Sequence, residues 1–154
     1  ALSGGGALRA PGLKIAATTG YTDKMMDIVV PIAKQNGYAP DYWISPDGTG
    51  GFGRPYPYMI FRNLEKLGVS SVQAAAKVGD TVSDIKEGKC AGVYTIGVLE
   101  GSSQIGLSQE EYEALTPAQQ NEACAKAAEV FRTAGADAVI RNMAELPALL
   151  RQVK

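Results

Sequence analysis

The sequence predicts an α/β protein whose parallel sheet is flanked by helices, and three observations carry that prediction. Short apolar strands alternate with amphipathic helical patterns along most of the chain, an order that calls for a parallel sheet with right-handed crossovers. Polar residues gather where strands give way to helices, the end of an open α/β sheet at which ligand sites collect. The run Val93-Tyr94-Thr95-Ile96-Gly97-Val98-Leu99 is apolar enough to be buried on both faces, as an interior parallel strand is.

Each element follows in turn. Residues 1–11 read as a flexible lead-in, because Gly4-Gly5-Gly6 and Pro11-Gly12 break helix and strand alike, and residues 12–154 read as one core domain. A first strand spans 14–18. A helix over 22–36 carries Met25, Met26, Val29, Val30 and Ala33 on one face and closes at Gly37. Tyr42-Trp43-Ile44 is a strand, 45–53 a glycine-rich loop, and Pro55 opens a helix with Tyr58, Ile60, Phe61, Leu64 and Leu67 that Gly68 ends. A strand at 74–78 leads into a helix over 81–91, ended by Gly92. After the strand at 93–99 comes a turn at Gly101-Ser102-Ser103, then helices over 109–115 and 117–134. A short strand, Ala138-Val139-Ile140, and a helix over 143–153 complete the pattern.

At 154 residues the chain is of single-domain size. A net charge of −1 without any basic run argues against a nucleic-acid surface. No stretch approaches the roughly 20 apolar residues of a membrane span, and the start lacks the charged and apolar regions of a signal peptide. Cys90 and Cys124 form no C-x-x-C pair, which points to free thiols in a reducing, cytoplasmic setting, with Cys90 as a buried small residue. The chain has no histidine. Ser-His-Asp and Cys-His hydrolysis and His-bearing zinc sites are therefore excluded, and phosphoryl or hydrolytic chemistry would run on carboxylates, cations and backbone amides.

Three polar constellations stand at strand ends. In Val78-Gly79-Asp80-Thr81-Val82-Ser83-Asp84, two carboxylates four residues apart could cradle a hard cation such as Mg²⁺, or could cap the helix that begins there. Thr18-Thr19-Gly20-Tyr21-Thr22 offers hydroxyls and amides for an anion at a helix start, or a threonine cap. Gly53-Arg54-Pro55-Tyr56-Pro57 sets a permanent cation between stiffening prolines, suited to a carboxylate or a phosphate, or simply to the surface. Lys86 and Lys89 read as solvated helix faces.

Taken in order, Thr19-Gly20-Tyr21-Thr22, Gly53-Arg54-Pro55-Tyr56-Pro57 and Val78-Gly79-Asp80-Thr81-Val82-Ser83-Asp84 resemble the haloacid dehalogenase superfamily, and within it the phosphonatase family. Glu87-Gly88, Ala91-Gly92, Tyr94-Thr95-Ile96-Gly97-Val98, Gly101-Ser102-Ser103, Gly106-Leu107-Ser108 and Met143-Ala144-Glu145-Leu146 extend the likeness from about Gly12 to the C-terminus. The resemblance implies a haloacid-dehalogenase-like, Rossmann-like core and Mg²⁺-dependent cleavage of a small-molecule phosphonate's P–C bond, giving acetaldehyde and phosphate. It further implies that Thr19, with Gly20, binds the phosphoryl group, that Arg54 neutralises it, that Asp80 ligates Mg²⁺, and that Asp84 holds the metal site through a metal-bound water or a neighbour. Gly79 and Thr81 would shape the turn.

The chain departs from the family's pattern, and its loop Asp47-Gly48-Thr49-Gly50-Gly51-Phe52 is richer in glycine than that pattern leads one to expect. The first motif, an Asp-bearing strand that supplies the nucleophile, is missing, as is the helical cap with its Schiff-base lysine. Asp23, Asp27, Asp41 and Asp47 lie in helix or loop contexts, and Lys14 and Lys77 merely stand beside strands. The family's first strand lies between those ending at Thr19 and at Gly79, so its absence would leave two inner edges to close on each other, to accept a strand from a second chain, or to leave the domain only partly stable. Three readings follow: a phosphonatase-like core, inactive alone for want of its nucleophile and lysine; a non-catalytic interaction module that pairs through exposed strand edges; and a general phosphatase of the superfamily, disfavoured because such enzymes usually carry lysine where Arg54 stands.

Overall fold

The computed structural model describes residues 14, 16–18 and 42–152. The lead-in, the helix expected over 22–36, and Thr19, Gly20, Asp23, Asp27 and Asp41 lie outside the described residues.

The described strands are parallel. β1 (Ala16–Thr18) pairs with β2 (Tyr42–Ile44), placing Ala17 opposite Trp43 and Thr18 opposite Ile44. β3 (Ala76–Gly79), β4 (Tyr94–Val98) and β5 (Ala138–Ile140) form a second sheet in that order, with Val78 opposite Ile96 and Ile96 opposite Ala138. Among the described residues no ladder joins β1 to β3. Their side chains meet instead, because Lys77 Nζ donates to Thr18 Oγ1 at 2.8 Å. Among the described residues the two edges thus do not close on each other by backbone pairing.

Five described helices flank the strands: α1 (Tyr58–Leu67), α2 (Val82–Ala91), α3 (Gln109–Glu113), α4 (Pro117–Ala134) and α5 (Leu146–Gln152). Their limits follow local chemistry. Thr81, Ser108 and Thr116 each close a capping box with the residue three positions on, which satisfies free N-terminal amides. Gly68, Gly92 and Gly135 end α1, α2 and α4.

Three adjustments to the expected limits have local causes. The strand expected from residue 74 starts at Ala76, because Ser71 Oγ accepts from Gln73 N and winds 72–74 into a 3₁₀ turn. The loop after β2 contains a similar turn, Pro46–Thr49, capped by Ser45. The final helix opens as a 3₁₀ turn, Met143–Glu145, capped by Asn142.

The larger core packs α2, α3 and α4 around Ile85, Leu99, Tyr112, Cys124, Ala127, Ala128 and Phe131. A second cluster joins Ile96, Val98 and Ile140 to Leu146 of α5, and a third sets Ile60 of α1 against Ala91 and Val93. Ile96 is fully buried, as the doubly covered position of β4 requires. Gly88 lets α2 lie close on the sheet: a Cβ there would stand 2.4 Å from Thr95 Oγ1 and 3.1 Å from Lys77 Cβ. Cys90 corrects the sequence reading. It faces outward on α2 and is exposed, whereas Cys124 is buried; both are free thiols.

Candidate active site

The site is built outward from the turn that follows β3. Thr81 adopts an extended N-cap conformation, and its Oγ1 accepts from Asp84 N at 3.1 Å. Asp84 reciprocates: its Oδ2 accepts from Thr81 Oγ1 at 2.8 Å, Thr81 N at 3.2 Å and Asp80 N at 3.3 Å. Gly79 makes this possible, since a Cβ at that position would fall 2.2 Å from Asp84 Cβ. The capping role weighed for this pair is thus visible, and it belongs to Asp84. Asp80 differs. Its residue is exposed, and its carboxylate takes no hydrogen bond or ion pair among the described residues.

The other oxygen of Asp84 faces cations. Arg54 Nη1 lies 3.2 Å from Oδ1 and Lys77 Nζ 3.3 Å away. Burial pushes the Asp84 carboxyl up, but Lys77, Arg54 and the Thr81 hydrogen bond together outweigh it and hold the group below its ordinary value.

One turn along α2, Glu87 is fully buried, and its Oε1 lies 2.9 Å from Lys77 Nζ and 3.5 Å from Arg54 Nε. Thr18 Oγ1 donates to the same oxygen at 3.0 Å, and Arg54 Nη2 donates to the Thr18 carbonyl at 2.9 Å. From α1, Asn63 Nδ2 donates to the Ala17 carbonyl at 3.1 Å. Arg54, Lys77, Asp84 and Glu87 therefore form a compact set of two cations and two carboxylates at the ends of β1 and β3. Two of its buried atoms, Arg54 Nε and Glu87 Oε2, have no hydrogen-bond partner.

The Asp80 turn is supported from the far side. Ser103 N and Oγ both donate to the Asp80 carbonyl, at 3.2 and 3.4 Å. Glu100, just upstream, accepts from Tyr112 Oη at 2.5 Å, Asn142 Nδ2 at 3.1 Å and Arg141 Nε at 3.3 Å. Burial raises the Glu100 carboxyl, and these hydrogen bonds outweigh it to leave the group below its ordinary value. Burial pushes the Tyr112 hydroxyl up, reinforced by Cys124 and Glu100.

Of the residues singled out in the sequence, the structure brings Arg54 onto Asp84 and leaves Asp80 beside them at the surface, while Thr19 and Gly20 are outside the described residues. Sequence reasoning included Thr18 in a candidate anion site but did not assign Lys77 or Glu87 to the site. The available signals were a lysine inside an otherwise apolar strand and a glutamate one turn beyond Asp84 on the same helix face.

No group of three or more His, Cys, Asp or Glu suited to a metal occurs among the described residues. The donor chemistry nevertheless fits a hard cation at one point. Asp80 offers a free carboxylate, and Mg²⁺ is commonly held by one or two carboxylates while keeping several waters. Asp84, already engaged by two cations and three donors, fits as the anchor of that turn.

The chain, with this α/β frame, belongs to the haloacid dehalogenase-like hydrolase family, whose model matches residues 6–92. The resemblance read from the motifs extends to particular relatives. The chain is 48% identical over 146 residues to the phosphonoacetaldehyde hydrolase of Lysinibacillus sphaericus, covering 95% of this chain and 54% of that protein. It is 47% identical over 146 residues to the phosphonoacetaldehyde hydrolase of Bacteroides fragilis, covering 95% and 55%. The crystal structure of a phosphonoacetaldehyde hydrolase-like protein from Oleispira antarctica superposes with a TM-score of 0.90 at 32% identity, covering 98% of this chain and 54% of that one. The chain spans about half the length of these relatives.

Proposed function

We propose that this chain is the phosphoryl- and Mg²⁺-binding portion of a phosphonatase-type hydrolase, which in its intact form cleaves phosphonoacetaldehyde with water to acetaldehyde and phosphate. The observation that carries the reading is Arg54, which reaches from the loop before α1 to Asp84 and to the last residue of β1. That places a permanent planar cation at the strand ends, where its remaining N–H groups can take phosphoryl oxygens. Thr19 and Gly20, next along from Thr18, would complete the phosphoryl-binding turn. Asp80 would hold Mg²⁺, and Asp84 would keep Asp80 presented. Bound there, Mg²⁺ would supply positive charge against the phosphoryl oxygens.

The same reading makes the chain inactive alone. Among the described residues, Asp47 sits in a 3₁₀ turn and Asp137 precedes β5, so neither offers a strand-end nucleophile. A reducing, cytoplasmic location agrees with the free Cys90 and Cys124. No described helix is long and apolar enough to cross a membrane.

The test is acetaldehyde release from phosphonoacetaldehyde with Mg²⁺, for this chain, for its Asp80→Ala variant, and for the chain mixed with a relative's N-terminal segment. Activity that appears only on mixing, and is lost with Asp80→Ala, supports the reading. Turnover by the chain alone would overturn its inactivity. A second reading, a module that accepts a strand from another polypeptide, draws on the missing ladder between β1 and β3 among the described residues. It predicts binding to the N-terminal segment without activity.

A further inference from the structure

We infer that Lys77 and Glu87 are positioning residues for the phosphoryl-binding side of this site, an inference that rests on the function proposed above. Both are withdrawn from solvent. The Lys77 side chain is 11% exposed and that of Glu87 fully buried. What they do touch is Thr18, the residue before Thr19, together with Arg54 and Asp84.

The lysine ammonium has three donors, and it faces three acceptors: Thr18 Oγ1 at 2.8 Å, Glu87 Oε1 at 2.9 Å and Asp84 Oδ1 at 3.3 Å. Glu87 Oε1 in turn receives Lys77, the Thr18 hydroxyl and the Arg54 Nε edge. The Thr18 hydroxyl accepts from one member of the pair and donates to the other, while its carbonyl accepts from Arg54. The pair therefore joins the end of β1, the guanidinium of the loop before α1 and the first turn of α2. These segments come from three separate stretches of sequence.

Charge gives the second reason. With Lys77 present, two cations face two carboxylates, so Arg54 is not obliged to neutralise both acids. Without Lys77, Arg54 alone faces Asp84 and Glu87, and its guanidinium is held by them rather than offered to an anion. Without the Glu87 charge, Thr18 loses its acceptor and the Nε edge of Arg54 loses its stop.

Titration of inorganic phosphate into the chain in the presence of Mg²⁺, followed by calorimetry, tests this, with unfolding midpoints measured in parallel. The informative variant is the double substitution Lys77→Met with Glu87→Leu, which removes both charges together and leaves no buried ion unpaired. Positioning predicts wild-type stability or better, with phosphate affinity down roughly tenfold, the loss expected of one misplaced charge-assisted hydrogen bond. A purely structural pair predicts that the double variant keeps the phosphate affinity of the unsubstituted chain, and that result would overturn the inference. Lys77→Arg is the second variant. It keeps the charge but replaces a compact three-donor head with a planar fork, and it too should weaken phosphate binding; unchanged affinity counts against the inference. If the unsubstituted chain and Arg54→Ala both show no phosphate binding, the proposed function fails, and this inference with it. Binding that Arg54→Ala abolishes and the double variant keeps leaves the function standing and removes only the role of Lys77 and Glu87.

Discussion

Asp84 carries two unlike duties in one carboxylate. Oδ2 caps α2 and gathers the Asp80 and Thr81 amides, while Oδ1 faces Arg54 and Lys77. Asp84→Asn keeps the shape and removes the charge, so two cations then face Glu87 alone. The expected loss is roughly 2–4 kcal/mol, the scale on which unpairing a partly buried ion operates, read by urea unfolding. The pH dependence follows from the sign of the shift. A carboxyl held lower in the folded state binds fewer protons there, so its stabilisation is full above its unfolded value near ~4 and is lost as pH falls through the folded one. Below about pH 4 the Asp84→Asn variant should lose stability less steeply than the unsubstituted chain. Glu100, which is lowered in the same direction, contributes equally to both curves.

At the scale of elements, α2 explains what could and could not be read from the sequence. Its start, its end at Gly92 and the acid of its first turn, Asp84, were all legible, because caps and terminating glycines are local signals. Its buried face was not. That face consists of Asp84, Ile85, Glu87, Gly88 and Ala91, two of them acids, so apolar periodicity does not mark it, and the usual burial of a small apolar thiol gave Cys90 a place that it does not have. The partners of those acids lie on β1, β3 and the loop before α1, and no local pattern announces such meetings. The close seat of α2 gives a second prediction. Gly88→Ala puts a methyl against Thr95 and Lys77, and should cost about 1–3 kcal/mol in chemical unfolding, in the range of core overpacking. Thr81→Ala removes a cap and a donor to Asp84 together, with an expected loss of about 1–2 kcal/mol by the same measurement.

Across the whole molecule, the parallel pairing of the strands and their alternation with helices agreed with expectation, since hydrophobic runs and turn residues mark that alternation. The division of the described strands into two sheets came instead from the family pattern, through the strand expected between them. The two sheets should differ in opening free energy. β1 and β2 are three residues each, and β1 reaches β3 through the Thr18 and Lys77 side chains, whereas β4 is paired on both edges. In native-state hydrogen exchange, the Ala17 and Trp43 amides should open at lower free energy than those of Ile96 and Gly97. Equal protection would show that the two sheets open as one unit.

The balanced set of Arg54, Lys77, Asp84 and Glu87 also restricts how this sequence can drift. Any single change of sign passes through a variant with an unmatched buried ion, so a lineage that replaces Lys77 must also replace an acid before or soon after. The four positions should therefore change in pairs, and such paired changes would mark where descendants of this chain had rebuilt the seam.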